Sequence, residues 1–249
     1  MMQMQELERG VEFNTFTTIG RCERTGALGV VLASSPLTVA SRCPFIKGGL
    51  AAISTQSFTN PHLAPIIFDL LGHGYSPAAV IDALRVHDKH FDYRQVGIVT
   101  QDGRVAVHSG KSGKDWTGHI VGDGFLAMGN TLVGPQVVDA MAKAFKSNAG
   151  ELLEERLMRA IEAGGDAGGE AKGQLSAGIL VAEPGQRPRT DLRVEMANPT
   201  PEQGGNAIKD LRRIVDAFKP MIRYYQIWPN DPTMENWRDW NAREAKKSA

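Results

Sequence analysis

The segment of residues 14–35 constrains the fold more than any other stretch of the chain. Two runs rich in β-branched residues, 15–22 and 28–34, flank the sequence Glu-Arg-Thr-Gly at residues 23–26. β-Branched side chains suit a pleated sheet, and glycine adopts the positive φ that a tight connection requires. We therefore predict a β-hairpin, whose second strand is apolar enough to be buried in the middle of a sheet.

The rest of the chain is predicted to arrange strands and helices in blocks. Further strands are predicted at residues 50–56, 96–100, 104–109, 119–121, 125–129, 176–182 and 191–196. Helices are predicted at residues 63–71, 135–146, 151–163 and 206–218, and a further one opens at Ser76-Pro77. The segment 164–173 contains five glycines and is predicted to be a loop. Helix pairs between groups of strands favour two stacked antiparallel sheets over a parallel sheet, which requires strict strand–helix alternation.

Composition narrows the possible partners and the cellular compartment. The chain has 249 residues, is 42% apolar, and carries 28 basic and 28 acidic side chains. A balanced charge gives no field that attracts nucleic acid or an anionic membrane, and no apolar run is long enough to span a bilayer. The first residues lack the basic and apolar regions of a secretory signal, and two cysteines are too few for a disulfide framework. We therefore expect a cytoplasmic protein that binds neither nucleic acid nor membranes.

The composition also suggests how the chain is divided. Residues 1–14 are predicted to be an N-terminal arm or a removable pro-segment, and residues 15–225 a single domain. Residues 226–249 form a charged tail that contains Trp228, Trp237 and Trp240, and it is predicted either to dock or to fray.

Several short motifs occur in the same order as in a known protein family. Thr-Phe-Thr at residues 15–17 and Thr-Gly-Ala-Leu-Gly-Val at residues 25–30 match the family's opening, Met-Thr-Phe-Ser-Ile followed by Thr-Gly-x-Leu-Gly-Val. Further matches lie at residues 33–36, 42–44, 51–56, 59–61, 122–124, 129–134, 173–177 and 191–194. Over roughly residues 15–218 the chain thus resembles a family of N-terminal-nucleophile (Ntn) hydrolases long described as a domain of unknown function. The resemblance implies an α+β fold of the four-layer αββα type, amide hydrolysis and a homodimer.

The resemblance makes Thr15 the candidate nucleophile. A threonine at a chain terminus supplies a hydroxyl that attacks and an α-amine, of pKa about 7.7–8.0, that accepts the proton. In the family a Met directly precedes this Thr, whereas here Asn14 precedes Thr15. Either the Asn14–Thr15 bond is cleaved, for example by attack of the Thr15 hydroxyl on the Asn14 carbonyl, or the amine is not free and the usual mechanism fails. From the residues alone, Thr15 is only the first residue of a strand.

The resemblance also suggests which residues assist Thr15. Asn130 is the candidate donor to the oxyanion of the tetrahedral intermediate. The candidate substrate-binding residues in the matched motifs are Arg42, Gln56, Asn60 and Asp123. His119 lies outside those motifs and is a further candidate from its position after Trp-Thr-Gly. An arginine clamps a carboxylate with two hydrogen bonds, while amide side chains hold a substrate amide or carboxylate. The residues alone allow structural explanations as well: a turn for each asparagine and for the aspartate, a surface ion pair for the arginine, and a structural role for the histidine.

A rival nucleophile and a weak metal cluster complete the candidates. A thiol at Cys43 activated by Arg42 or His119 would perform acyl transfer, although a free cysteine is more often a small core residue. His87 and His90 match no strong zinc spacing, and we expect neither a metal nor another cofactor. The predicted function is a metal-independent amidohydrolase that cleaves a linear, non-peptide C–N amide bond in a small molecule. The alternatives are a catalytically silent Ntn fold that binds a small ligand or partner, and an acyl hydrolase that depends on Cys43.

Overall fold

The structure is a computed structural model that describes residues 13–113 and 115–247. Its strands are β1 (Thr15–Arg21), β2 (Leu28–Ser34), β3 (Pro44–Lys47), β4 (Ala51–Ser57), β5 (Arg94–Thr100), β6 (Val105–Ser109), β7 (Trp116–Gly122), β8 (Phe125–Leu132), β9 (Ser176–Ala182) and β10 (Pro188–Val194). Its helices are α1 (Val39–Arg42), α2 (Leu63–Gly72), α3 (Pro77–His87), α4 (Gln136–Ser147), α5 (Leu153–Asp166), α6 (Ala207–Phe218), α7 (Ile222–Ile227) and α8 (Trp237–Lys247).

The strands form two antiparallel sheets. The larger has six strands in the order β10-β9-β2-β1-β8-β7, and the smaller has four in the order β3-β4-β5-β6. The predicted hairpin is confirmed: β1 pairs with β2 so that Thr15 lies opposite Ser34, and Gly26 in the connection has a φ of 69°. Because β8 pairs with the other side of β1, the start of β1 lies in the middle of the larger sheet.

Alternate residues of the central strands face two different hydrophobic clusters. Phe16 points to a cluster that includes Met141 of α4 and Leu157 of α5, so these helices cover the outer face of the larger sheet. Ile19 points to a second cluster that includes Val99 of the smaller sheet, so the two sheets face each other. A third cluster packs α2 and α3 on the outer face of the smaller sheet. The expected mixed α+β fold with two antiparallel sheets and flanking helices is therefore confirmed.

Two local predictions are wrong, and one short strand was not predicted. Asn130 does not follow a strand but lies within β8, which continues to Leu132. The predicted loop 164–173 begins too early, because α5 runs through Gly164. A Cβ at Gly164 would lie 2.8 Å from Cγ of Met141, so the missing side chain permits α5 to pack closely on α4. The short strand β3 was not predicted, since its few residues carry no clear alternation.

The C-terminal segment docks on the helix that precedes it. Trp240 of α8 is only 6% exposed, and its ring lies 5.7 Å from that of Tyr224 in α7. Of the predicted N-terminal arm, residues 1–12 lie outside the described residues. Within residues 13–113 and 115–247, no helix combines the length and the apolar character needed to cross a membrane.

The edges of both sheets are irregular or short. In the larger sheet, edge strand β10 shifts register between Pro188 and Thr190, and edge strand β7 shifts between Trp116 and Gly118. In the smaller sheet, the edge strands β3 and β6 have only four and five residues. Irregularities of this kind interrupt the row of backbone groups that an edge presents.

The packing of α4 on β1 gives a prediction for stability. A Cβ at Gly20 would lie 2.2 Å from Cζ of the buried Phe145 ring. We expect Gly20→Ala to lower the free energy of unfolding by about 1–3 kcal/mol, because overpacking forces the ring or the strand to shift. Chemical denaturation measures the change. In the matched control Gly72→Ala, no atom lies within 4 Å of the new Cβ, and we expect no loss, or a gain of up to about 1 kcal/mol from helix propensity. Equal effects of the two substitutions would contradict this account.

Candidate active site

Thr15 is fully buried at the start of β1, between strands that supply polar neighbours on both sides. The register of β1 with β2 places Ser34 directly opposite Thr15, and their hydroxyl oxygens are 3.2 Å apart. The register with β8 pairs Phe16 with Gly129, so the next residue of β8, Asn130, lies beside Thr15. The Thr15 hydroxyl donates a hydrogen bond of 2.8 Å to the carbonyl oxygen of Phe13.

Two side-chain amides hold the backbone carbonyl oxygen of Thr15. Gln56 Nε2, from β4 of the facing sheet, donates to it over 3.0 Å, and Asn130 Nδ2 donates over 3.3 Å. Gln56 Oε1 accepts from the Thr17 hydroxyl at 2.6 Å, so this one side chain holds two residues of β1. The arrangement fixes the backbone of Thr15 from both sheets.

The buried Gln95 of β5 joins this group to the edge of the site. Its Oε1 accepts from Gln56 Nε2 at 2.8 Å and from Asn130 Nδ2 at 3.3 Å. Its Nε2 donates to the Ser109 hydroxyl at 2.8 Å, and that oxygen lies 2.9 Å from Nδ1 of His119. A chain of hydrogen bonds therefore runs from the exposed His119 to the backbone of Thr15.

The peptide bond before Thr15 has its own polar contact. The Ser34 hydroxyl donates to the carbonyl oxygen of Asn14 at 2.5 Å. The side chain of Phe13 is buried against Leu32, Val39 and Cys43, and its backbone N–H donates to the Ser57 carbonyl oxygen at 2.7 Å. The two residues before Thr15 are thus held firmly, and a hydroxyl donor lies at the one carbonyl oxygen that would carry charge if Thr15 attacked that bond.

A cleft of about 520 Å³ lies beside Asn14 and contains a buried carboxyl group. Glu170 lines this cleft and is 3% exposed. Its Oε2 accepts from the backbone N–H of Ser35 at 2.9 Å, whereas Oε1 has no hydrogen-bond partner among the residues that the structure describes. Burial raises the pKa of the Glu170 carboxyl well above its ordinary value of 4.5, against the opposing effect of hydrogen bonds from Ser35, and thereby favours the neutral form.

Of the predicted site residues, the structure brings together Thr15, Asn130 and Gln56, with His119 connected through Gln95. The others lie elsewhere. Arg42 is exposed at the end of α1, and Asp123 is exposed in the turn between β7 and β8. Asn60 Oδ1 accepts from the backbone N–H of His62 at 3.2 Å, which is the turn role that its residue type allows.

The surroundings of the alternative nucleophile, Cys43, and of the possible metal ligands, His87 and His90, do not favour acyl transfer or metal binding. Cys43 is fully buried, and this burial raises the pKa of its thiol to about 12, so the nucleophilic thiolate is scarce near neutral pH. His87 and His90 are exposed, and the intervening Asp88 is paired with Arg94 at 2.9 Å. Across residues 13–113 and 115–247, no group of three or more His, Cys, Asp or Glu side chains is arranged to hold a metal ion.

Three residues of the site were missed from the sequence. Ser34 lies within the matched motif at residues 33–36, and its place opposite Thr15 follows from the hairpin register, so the sequence itself points to this residue. Gln95 opens an apolar strand without any motif. Glu170 is the one acidic residue in the glycine-rich stretch after Asp166, and only the fold shows that it is buried.

The fold and the site define an α+β protein with a buried polar site at the start of a central strand. The model of a family of unknown function, DUF1028, matches residues 15–203, and the chain belongs to this family. It is similar to a crystal structure of a DUF1028-family protein from Silicibacter pomeroyi, with a TM-score of 0.74 and 23% identity over 92% of this chain and 93% of that one. That likeness shows a shared fold.

A weaker likeness is to Anbu (ancestral beta-subunit) from Yersinia bercovieri, with a TM-score of 0.37 and 9% identity over 89% of this chain and 100% of that one. No curated protein matches the chain.

The network of hydrogen bonds that joins Gln56, Gln95 and Asn130 gives a second prediction for stability. Replacement of the buried Gln95 by leucine removes one hydrogen bond from each of its partners, which include the carbonyl oxygens of Gly118 and Gly129. We expect Gln95→Leu to lower the free energy of unfolding by about 2–4 kcal/mol, because buried polar groups that lose partners keep their desolvation cost. Chemical denaturation of Gln95→Leu and of the exposed Gln186→Leu tests this. The control is expected to change by less than about 0.5 kcal/mol, and a similar small change for Gln95→Leu would contradict the role given to the network.

Glu170 gives a prediction for pH dependence. Its folded-state pKa is raised, so above an ordinary pKa of 4.5 the unfolded chain loses this proton while the folded protein keeps it. The group's contribution to stability is complete below that pH and is lost as the pH rises towards the folded-state pKa, by up to about 1.4 kcal/mol per pH unit. Glu170→Gln removes the titration. We therefore expect the stability of Glu170→Gln relative to wild type to increase in denaturation experiments as the pH rises above about 4.5. A difference that stays constant with pH would show that the carboxyl is not held neutral.

Proposed function

We propose that the protein is an amide hydrolase of the Ntn type, with the corresponding four-layer αββα fold, and that Thr15 is its nucleophile. The observation that carries the proposal is the environment of the Asn14–Thr15 bond, where the Ser34 hydroxyl donates to the Asn14 carbonyl oxygen beside the Thr15 hydroxyl. The start of the family match at Thr15 supports it as well.

The first step is cleavage of the chain itself. Thr15 Oγ1 forms a bond to the carbonyl carbon of Asn14, and the negative charge that develops on the Asn14 oxygen is stabilised by the Ser34 hydroxyl. The C–N bond between the two residues then breaks, and the nitrogen takes up the proton that the Thr15 hydroxyl lost, which makes it the α-amine of Thr15. Water hydrolyses the resulting ester, which leaves a carboxylate on Asn14 and restores the Thr15 hydroxyl.

The same groups then serve an external substrate. The α-amine of Thr15 accepts the hydroxyl proton while the hydroxyl attacks the amide carbon of a small molecule, and the amine later returns that proton to the leaving nitrogen. Water then hydrolyses the acyl ester on Thr15, which releases the acyl half as a carboxylic acid and restores the hydroxyl. Ser34 takes the role of oxyanion donor. Asn130 was predicted for that role, but its amide bonds to the carbonyl oxygen of Thr15 itself, so in this proposal Asn130 and Gln56 position the nucleophile.

Binding without catalysis is the second candidate function. It is favoured by the complete burial of Thr15 and by the hydrogen bond that commits its hydroxyl to the Phe13 carbonyl oxygen. The two candidates differ in whether purified protein starts at Thr15 or retains Asn14. The intact mass and the N-terminal sequence of the purified chain decide between them.

Variants of the two hydroxyls test the proposal. We expect wild type and Thr15→Ser to be recovered as chains that begin at residue 15, and Thr15→Ala to be recovered uncut, because only the first two keep an attacking hydroxyl. Ser34→Ala is expected to slow cleavage by about 10²–10³-fold, the usual effect of removing one oxyanion donor. Time-resolved intact mass spectrometry measures the cut fraction.

The controls address side effects and the rival nucleophile. Ser147 is exposed at the end of α4, and Ser147→Ala is expected to be cut like wild type. Cys43→Ala is expected to be cut as well, since the buried thiol takes no part. Cleavage of Thr15→Ala, or hydrolytic activity in a chain that still carries Asn14, would rule out the α-amine mechanism.

A further inference from the structure

Glu170 has a hydrogen-bonding capacity that the described structure does not use. It is 3% exposed, it lines the cleft beside Asn14, and its Oε1 has no partner among residues 13–113 and 115–247. Backbone hydrogen bonds fix the loop around it: Gly173 N–H donates to the Glu170 carbonyl oxygen at 3.0 Å, and Val133 N–H donates to that of Gly169 at 3.2 Å. A buried polar atom on a fixed loop at the wall of a cleft is suited to bind a ligand.

The two carboxyl oxygens of Glu170 have different roles. Oε2 accepts the backbone N–H of Ser35 and therefore serves as the carbonyl oxygen. In the neutral acid the proton then lies on Oε1, which becomes a donor. The group that completes this site must contribute an acceptor, such as a carbonyl oxygen.

The position of Asn14 shows which part of a substrate reaches Glu170. Once the segment before Thr15 has left, the attacked carbon of a substrate takes the place of the Asn14 carbonyl carbon, because the same hydroxyl attacks both. The acyl substituent on that carbon then takes the place of the Asn14 Cα, and a group attached one carbon further on takes the place of the Asn14 side chain. Asn14 lines the same cleft as Glu170, and its Nδ2 donates to the Ser35 hydroxyl at 3.2 Å. A carboxamide is thus already accommodated at this position.

The charges of the cleft favour a neutral group. Among the residues that the structure describes, its titratable side chains besides Glu170 are Asp115 and Lys172, which are exposed and of opposite sign. A ligand carboxylate would be desolvated without a net positive charge to compensate, which is costly. A ligand amine would require Glu170 to ionise where burial opposes it.

We propose that Glu170 forms a subsite for the acyl half of the substrate and donates a hydrogen bond to the carbonyl oxygen of a carboxamide group. The substrate class is then a small amide whose acyl half carries a second, uncharged carboxamide, as asparagine does. This inference rests on the function proposed above, because the subsite is open to a substrate only after residues 1–14 have left.

The experiment uses three matched probes and the chain as it is purified. N-acetyl-asparagine carries the carboxamide, N-acetyl-aspartate carries a carboxylate of the same shape, and N-acetyl-leucine carries an apolar group of similar shape. Native mass spectrometry identifies the purified protein that has lost residues 1–14. Isothermal titration calorimetry then measures the affinity of this protein for each probe. We expect N-acetyl-asparagine to bind at least about tenfold more tightly than either other probe.

Variants of Glu170 separate its hydrogen bond from its charge. Glu170→Gln keeps an acceptor for Ser35 N–H and a donor at the position of Oε1, so it is expected to retain the affinity for N-acetyl-asparagine. Glu170→Met has a similar volume but no donor, and we expect it to lose about tenfold or more in affinity. Glu151→Met, at an exposed position, is the control and is expected to bind like wild type.

Each outcome has a distinct meaning. A chain that stays uncut overturns the proposed function and the subsite together. A cut wild-type chain that binds N-acetyl-leucine or N-acetyl-aspartate as tightly as N-acetyl-asparagine overturns the subsite alone, even if the methionine variant fails to fold. Equal losses in Glu170→Gln and Glu170→Met would also overturn it, because they would show that a negative charge, and not a donor, is required.

Discussion

The hydrogen bonds to the backbone carbonyl oxygen of Thr15 connect the two sheets at the site. One amide comes from Gln56 of the smaller sheet and the other from Asn130 of the larger sheet. Both side chains are completely buried, so each polar atom without a partner carries an uncompensated desolvation cost; both amide nitrogens are bonded, whereas Asn130 Oδ1 has no partner among the described residues. A slip of either strand by one residue would turn these amides to the opposite face. The network therefore specifies the register of the strands as well as the position of Thr15.

A polar centre of this kind is unusual between sheets that otherwise meet through apolar residues. Ile19, Leu126 and Met128 fill the space between the sheets further along the same strands. At the start of β1, that apolar layer gives way to Gln56, Gln95 and Asn130, and the neutral carboxyl of Glu170 lies at the adjoining cleft. Natural cores rarely retain so many buried polar groups without a reason of function or specificity, and this is the physical argument for placing the site here.

Much of the fold could be predicted from the sequence, because strong local signals agree with the final structure. The run 28–34 is recovered unchanged as β2, and Ser76 caps α3 through the N–H of Ala79 as its residue type indicates. The errors arise where tertiary packing outweighs local preference. Gly164 lies in α5 despite its low helix propensity, because the absence of a side chain there lets the helix pack closely against Met141. For the candidate site, the motifs suggested Thr15, Gln56 and Asn130, and the structure brings these three residues together. Motif order could not identify Gln95 or Glu170, since their importance comes from burial, and burial results from contacts distant in sequence. The same limit explains Arg42 and Asp123, which share the motifs but lie on the surface.

The irregular sheet edges affect how two copies of this chain can meet. Association by strand addition needs a long, regular row of free backbone groups on each partner. The pairing of β10 and of β7 is interrupted by a register shift, and β3 and β6 are short. The outer strands of both sheets therefore lack a long, regular row of free backbone groups. A continuous sheet through two molecules is therefore disfavoured, and a homodimer of this protein would have to be built from helical or loop surfaces. The contact would then depend on side chains, which makes self-association selective and protects the strands from uncontrolled polymerisation.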